Sequence, residues 1–148
     1  MSQSKSKNSR RQKKRESLPW VTNIEKKTLN NQNWRHVLHT SESLQVVVMS
    51  VPQKQELGWE MHDESDQFFR VEKGSALVEI DTGKRVKSVR LTEDMVIVIP
   101  RYTWHNVINT SKSQPLQMYS IYGPPHHPDK TLDRTHEAEI RRTQKRRK

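Results

Sequence analysis

Short runs of strand-forming residues, each stopped by a turn signal, constrain this chain more than any other feature. Trp34–His39 (WRHVLH) and Leu44–Val51 (LQVVVMSV) flank Ser41-Glu42-Ser43 and read as a β-hairpin. Pro52 cannot donate to a ladder and closes the second run. Gly58 permits a tight turn into the next stretch. Gln67–Val71 (QFFRV), the turn Glu72-Lys73-Gly74 and Ser75–Ile80 (SALVEI) read as another hairpin. Arg85–Leu91, Met95–Ile99 closed by Pro100, Trp104–Ile108 and Leu116–Tyr122 follow. A set of about eight short strands with regular turn signals predicts an all-β sandwich or barrel.

At 148 residues there is room for one domain. The net charge of +10 is unevenly placed. Residues 1–16 carry seven Lys/Arg and one Glu, and residues 137–148 carry six Lys/Arg and two Glu. The chain between them is formally neutral. Residues 1–17 lack the apolar side chains needed to offset ordering entropy, so a disordered basic tail is expected there. Residues 18–33 form a lead-in segment in which Leu18-Pro19-Trp20-Val21 begins the ordered part. Residues 34–123 make the barrel, and residues 124–148 a Pro/His-rich extension and basic C-terminal tail. Gly123-Pro-Pro-His-His-Pro128 excludes helix and central strand, and residues 132–148 tolerate helix but are polar all round. There is no cysteine, hence no disulfide or thiolate ligand. No run approaches the ~20 apolar residues that span a bilayer. The basic N-terminus has no apolar segment after it and does not read as a secretory signal. The expected location is intracellular and cytoplasmic, with nucleus and virion left open.

Side chains alternate across a strand, so Glu60 and His62 share a face, as do Gln67, Phe69 and Val71, and His105, Val107 and Asn109. If these faces look inward, two imidazoles, a carboxylate and an amide oxygen meet inside the barrel. Two His and one carboxylate with open positions suit non-haem Fe(II), and zinc accepts the same donor types. Gln67 would serve as a weak neutral ligand or as a hydrogen-bonding partner to bound water or substrate. Glu60, if it is not a ligand, is the general-base candidate. No Ser/His/Asp arrangement, P-loop or dinucleotide fingerprint is present.

Residues 44–122 resemble the cupin superfamily of small β-barrels, whose two motifs lie on paired strands. The first motif maps onto Gly58, Glu60, His62, Gln67 and Gly74, and the second onto Asp94, Pro100, Tyr102, His105 and Asn109. From Trp34 to His127, including DQFFRVEKG, WHNVINTS and YGPPHHP, the chain is similar to a narrower group. These are small type-2 cupins of bacteria and large DNA viruses, labelled mannose-6-phosphate isomerase-like. The resemblance implies a single double-stranded β-helix (jelly-roll) barrel with one divalent metal held by Glu60, His62, Gln67 and His105. Iron, manganese, zinc and nickel all remain open. Glu60 stands where the family has His, Gln67 where it has Glu, and Asp94 and Tyr102 where it has Gly. The Glu60/Gln67 exchange keeps one carboxylate in the set, as in phosphomannose isomerases with one Gln, one Glu and two His.

Tyr102 and Trp104 are expected at the pocket rim. Trp59 and Tyr122 are candidate walls, and Phe69 and Met118 read as core. His126 and His127 are expected to be exposed or capping. The implied function is binding of, or action on, a small polar, sugar-like ligand, with metal-dependent isomerase or oxygenase chemistry as the enzymatic form. The alternative is a non-catalytic or degenerate cupin whose basic tails attach it to nucleic acid or another anionic partner. Outward apolar residues such as Phe68 suit a homodimer.

Overall fold

The computed structural model describes residues 18–146. The expected disordered tail, residues 1–17, lies outside them, as do the last two residues. In chain order the elements are α1 (Ile24–Asn30), β1 (Arg35–Thr40), β2 (Gln45–Val51), β3 (Asp66–Lys73), β4 (Ala76–Asp81), β5 (Val86–Leu91), β6 (Val96–Ile99), β7 (His105–Ile108), β8 (Leu116–Gly123), β9 (Leu132–Asp133) and α2 (His136–Arg146). Six strands form one sheet in the order β6-β3-β8-β2-β1-β9, and three form a second in the order β5-β4-β7. Every pairing is antiparallel. The all-β reading holds.

The two inner faces meet in one core. Val47, Phe69 and Met118 from the large sheet and Val78 and Val107 from the small one are each at most 1% exposed. On β3 the alternation is clean: Gln67, Phe69 and Val71 are buried, while Phe68 and Arg70 face outward and are half-buried. The β1–β2 hairpin forms, with a register shift between Val37 and His39.

The expected β3–β4 hairpin does not form. Both edges of β3 are taken, one by β6 and the other by β8, and β4 instead pairs with β5 and β7. Gly74 is the corner where the chain leaves one sheet for the other. Its φ is +87°, and a Cβ there would sit 2.8 Å from the Pro115 carbonyl oxygen. A turn that looks like a hairpin in sequence therefore serves as an inter-sheet corner.

The lead-in contains a helix with a polar start and a polar finish. Asn23 caps α1 by accepting from the Lys26 amide at 3.0 Å, and Gln117 on β8 donates to the Leu29 carbonyl at 2.8 Å. At the other end, α2 has no broad apolar face and is fastened by polar groups. Arg142 donates to Asp133 at 2.8 Å, the His136 ring stacks on Trp34 at 4.3 Å, and Glu139 accepts from Trp34 Nε1 and Arg35 Nη1. Among the described residues no helix is long and apolar enough to cross a membrane.

Candidate metal centre

Glu60 and His105 form an isolated antiparallel bridge. The Glu60 amide donates to the His105 carbonyl at 2.9 Å, and the His105 amide to the Glu60 carbonyl at 3.0 Å. Directly opposed residues send their side chains to the same side, which brings carboxylate and imidazole together. His62 is held by its carbonyl, which accepts from the Tyr102 amide at 2.8 Å. Gln67 arrives from the inner face of β3.

The four side chains converge. Glu60 Oε1 lies 3.8 Å from His62 Nε2 and 3.7 Å from His105 Nε2, and Gln67 Oε1 lies 3.2 Å from His62 Nε2. Neighbours with side-chain oxygens or backbone carbonyls set the atoms that point inward. His105 Nδ1 is 2.9 Å from the Thr103 carbonyl, which can only accept, so Nδ1 carries the proton and Nε2 turns a lone pair to the centre. The Gln67 amide donates to Ser120 Oγ at 3.2 Å, which leaves Oε1 facing His62. His62, Gln67 and His105 are buried, and Glu60 keeps 29% side-chain exposure although its Oε1 is fully covered. Glu60 Oε1 and His105 Nε2 are buried without a hydrogen-bond partner, a costly arrangement unless something binds between them.

The electrostatics follow from burial. Desolvation pushes the Glu60 carboxyl up, and the Arg35 guanidinium opposes it. His62 is pushed down to about 4, first by burial and then by His105. His126 is likewise lowered to about 4 by burial and then by His62. His127 is driven down for the same primary reason.

His126 is exposed, as expected, yet its ring reaches the centre, while His127 is half-buried. The His126 ring packs on His62 with centroids 4.1 Å apart, and His127 packs on Tyr122 at 5.1 Å. The cause is Gln45, fully buried on β2. Its Oε1 accepts the amides of His126 and His127 at 3.1 and 2.8 Å, and its Nε2 donates to the His127 carbonyl at 2.7 Å. Arg35, 1% exposed, is a second residue that the strand pattern concealed. It sat in WRHVLH as an ordinary strand cation, and no local signal marked it as interior.

Trp104, expected at the rim, stands on the outer surface. With His105 turned inward, its chain neighbour points the other way. Trp104 lines a shallow groove of about 380 Å³ with Trp59, Asp81 and Val86. Tyr102 meets the centre through its backbone amide, while its ring is 64% exposed. Tyr102 and Asp94, the two replacements of motif glycines, both keep left-handed backbone, with φ +66° and +70°. Phe69 and Met118 are core, and Tyr122 is a buried wall beside His62.

Residues 47–122 match the cupin domain family. The chain is 42% identical over 114 residues to the uncharacterized protein L612 of Acanthamoeba polyphaga mimivirus, a stretch covering 77% of this chain and 71% of that protein. It is 40% identical over 119 residues to the uncharacterized protein YrkC of Bacillus subtilis, covering 79% of this chain and 63% of YrkC. Among solved structures, BH2720 of Bacillus halodurans is 39% identical and superposes with a TM-score of 0.79 over 85% of this chain and 96% of that one.

Proposed function

From a chain that belongs to the cupin family, we propose a barrel that binds one divalent metal ion through Glu60, His62 and His105, with Gln67 as a neutral fourth donor or as a hydrogen-bonding partner beside it. The observation that carries this reading is the convergence of ligand atoms of Glu60, His62 and His105 within 4.8 Å, with Glu60 Oε1 and His105 Nε2 lacking any other partner. One carboxylate and two imidazoles fit zinc, iron, manganese or nickel. Such an ion supplies Lewis-acid polarisation of an oxygen on a bound ligand.

The ligand is a small polar molecule, and the residues around the centre have distinct tasks. Glu60 marks the approach, since its side chain keeps an open edge. His126 covers His62 and excludes water from that side. Ser120 holds the Gln67 amide so that its oxygen faces inward. Pairing of two copies belongs to the same proposal. Outward Phe68 lies near Val98, which is 60% exposed on the edge strand β6. A concentration-independent monomer mass would remove that part.

Elemental mass spectrometry of the untagged protein tests the metal reading. Near-stoichiometric metal, lost in a His62→Ala/His105→Ala variant that still folds, is the expected result. Absence of metal, with none taken up on reconstitution, would leave a degenerate ligand-binding barrel as the better account.

A further inference from the structure

Among the described residues, most of the buried polar side-chain atoms without a hydrogen-bond partner lie in or beside the metal centre; Glu72 Oε1, 3.6 Å from Arg70 Nε, stands apart. Glu60 Oε1 and His105 Nε2 face the metal centre and His62 Nδ1 is the ring nitrogen turned away from it, but Arg35 Nε and His127 Nε2 are not part of it. Arg35 is the more consequential. Its guanidinium is 1% exposed and carries five N–H donors. Nη1 pairs with Glu139, Nη2 has only the thioether of Met49 at 3.5 Å, and Nε has nothing. A buried cation left this short of acceptors is expensive.

Arg35 shares the interior with the metal centre. It sits on the inner face of β1, opposite Met49 on β2, and its charge is felt at Glu60, Tyr122 and His127. The carboxylate it does hold is divided, because Glu139 gives its other oxygen to Trp34 Nε1. That carboxylate is delivered by α2, an eleven-residue helix. A helix below ~12–15 residues is marginal on its own. Its polar fastenings at Asp133, Trp34 and Arg35 therefore form and release together with the helix.

We propose that Arg35, flanked by the Trp34 indole, is a carboxylate-recognition site beside the metal centre, that Glu139 is its resident occupant, and that a small carboxylate-bearing ligand competes with α2 for it. The ligand class narrows to a hydroxy or sugar acid, on the proposed reading that the barrel binds a metal and a small polar ligand. One end is an anion for Arg35, and the other is a hydroxyl or carbonyl oxygen for the centre at Glu60, His62 and His105. A planar carboxylate matches a guanidinium edge, and the resident group already has that chemistry.

Chemical rescue provides the test. Glu139→Ala and Glu139→Gln full-length proteins are melted in sodium acetate and in sodium chloride at equal ionic strength, metal-stripped and zinc-loaded. Acetate at tenfold its dissociation constant should raise the Tm of Glu139→Ala by roughly 5 °C, with or without zinc. Wild type, whose site is filled, and an Arg35→Met/Glu139→Ala protein should respond no more than they do to chloride. Equal rescue in the double variant, no rescue in either single variant, or rescue only with zinc would overturn the site. Failure to bind zinc with acetate rescue intact would remove the metal reading and leave Arg35 standing. A second measurement uses wild type alone. Glucuronate, and not glucose, should speed tryptic cleavage after Arg142 severalfold as α2 is displaced; unchanged cleavage would refute the competition.

Discussion

Asn109→Asp is a perturbation whose size can be worked out from neighbouring atoms. Asn109 is 1% exposed at the end of β7. Its Nδ2 donates to the carbonyls of Gln114, Val51 and Pro52 at 2.9, 3.0 and 3.2 Å, and its Oδ1 accepts the Ser111 amide at 3.0 Å. One side chain thus ties the end of β2 to the loop that leads into β8. Aspartate preserves the shape, deletes two N–H donors and turns a carboxylate toward three carbonyl oxygens. Leaving buried acceptors unpaired costs ~1–3 kcal/mol each, so the loss at neutral pH should be about 3–5 kcal/mol. Burial and the facing carbonyls raise the new carboxyl above its unfolded value of about 3.9. Between those two pKa values the folded state binds the extra proton, so stability falls as pH rises and recovers as pH drops. Urea melts at pH 4.5 and 7.5 would measure this. With a slope of ~2 kcal/mol/M, the midpoint should fall by about 2 M at pH 7.5 and by visibly less at pH 4.5. A loss under ~1 kcal/mol, or one of equal size at both pH values, would refute the staple role.

Other outcomes follow from backbone and burial. Gly74→Ala should cost about 2–3 kcal/mol because a clash with the Pro115 carbonyl adds to the left-handed strain, whereas Gly83→Ala, at φ +84° with open space around it, should cost about 1 kcal/mol. Equal losses in urea melts would dismiss the corner argument. Tyr102→Asn should gain about 0.5–1 kcal/mol by easing the residue at φ +66°, since the ring it removes is 64% exposed; a lower Tm would show that the ring makes contacts of its own. In metal-free protein, His62 is lowered to about 4 by burial and then His105, so the unfolded chain takes up the proton first on acidification. Stability should be full above pH 6.5 and fall toward pH 4, by about 3 kcal/mol from His62 alone. A flat urea midpoint across that window in wild type would exclude a neutral buried His62.

The period-2 pattern is a local property, and what it reports is also local. It placed Gln67, Phe69 and Val71 on the inner side of β3, and it grouped His105 with Val107 and Asn109. It could not distinguish a hairpin from a sheet-changing corner at Gly74, because both use a short glycine turn, and only the partners of β3 separate the two. The interior around His62 was less legible still. Gln45, His126, Arg35 and Glu139 come together from four distant stretches, and in each the polar residue resembles ordinary surface. Helix α2 offered one clue: a helix polar on every side needs something other than apolar burial to hold it. The N-terminal Trp20 stacks on His39 at 4.9 Å, a pairing that likewise has no signature in either stretch alone.

Gln45 separates position from chemistry. It seats residues 126 and 127 through their main-chain groups, which every amino acid except proline presents alike. The two imidazoles that lean on His62 and Tyr122 are therefore interchangeable fittings on a fixed shelf. Exchanging either one can retune polarity and width beside the cluster without unseating the chain that carries it, so diversification of this barrel has a low-cost place to begin.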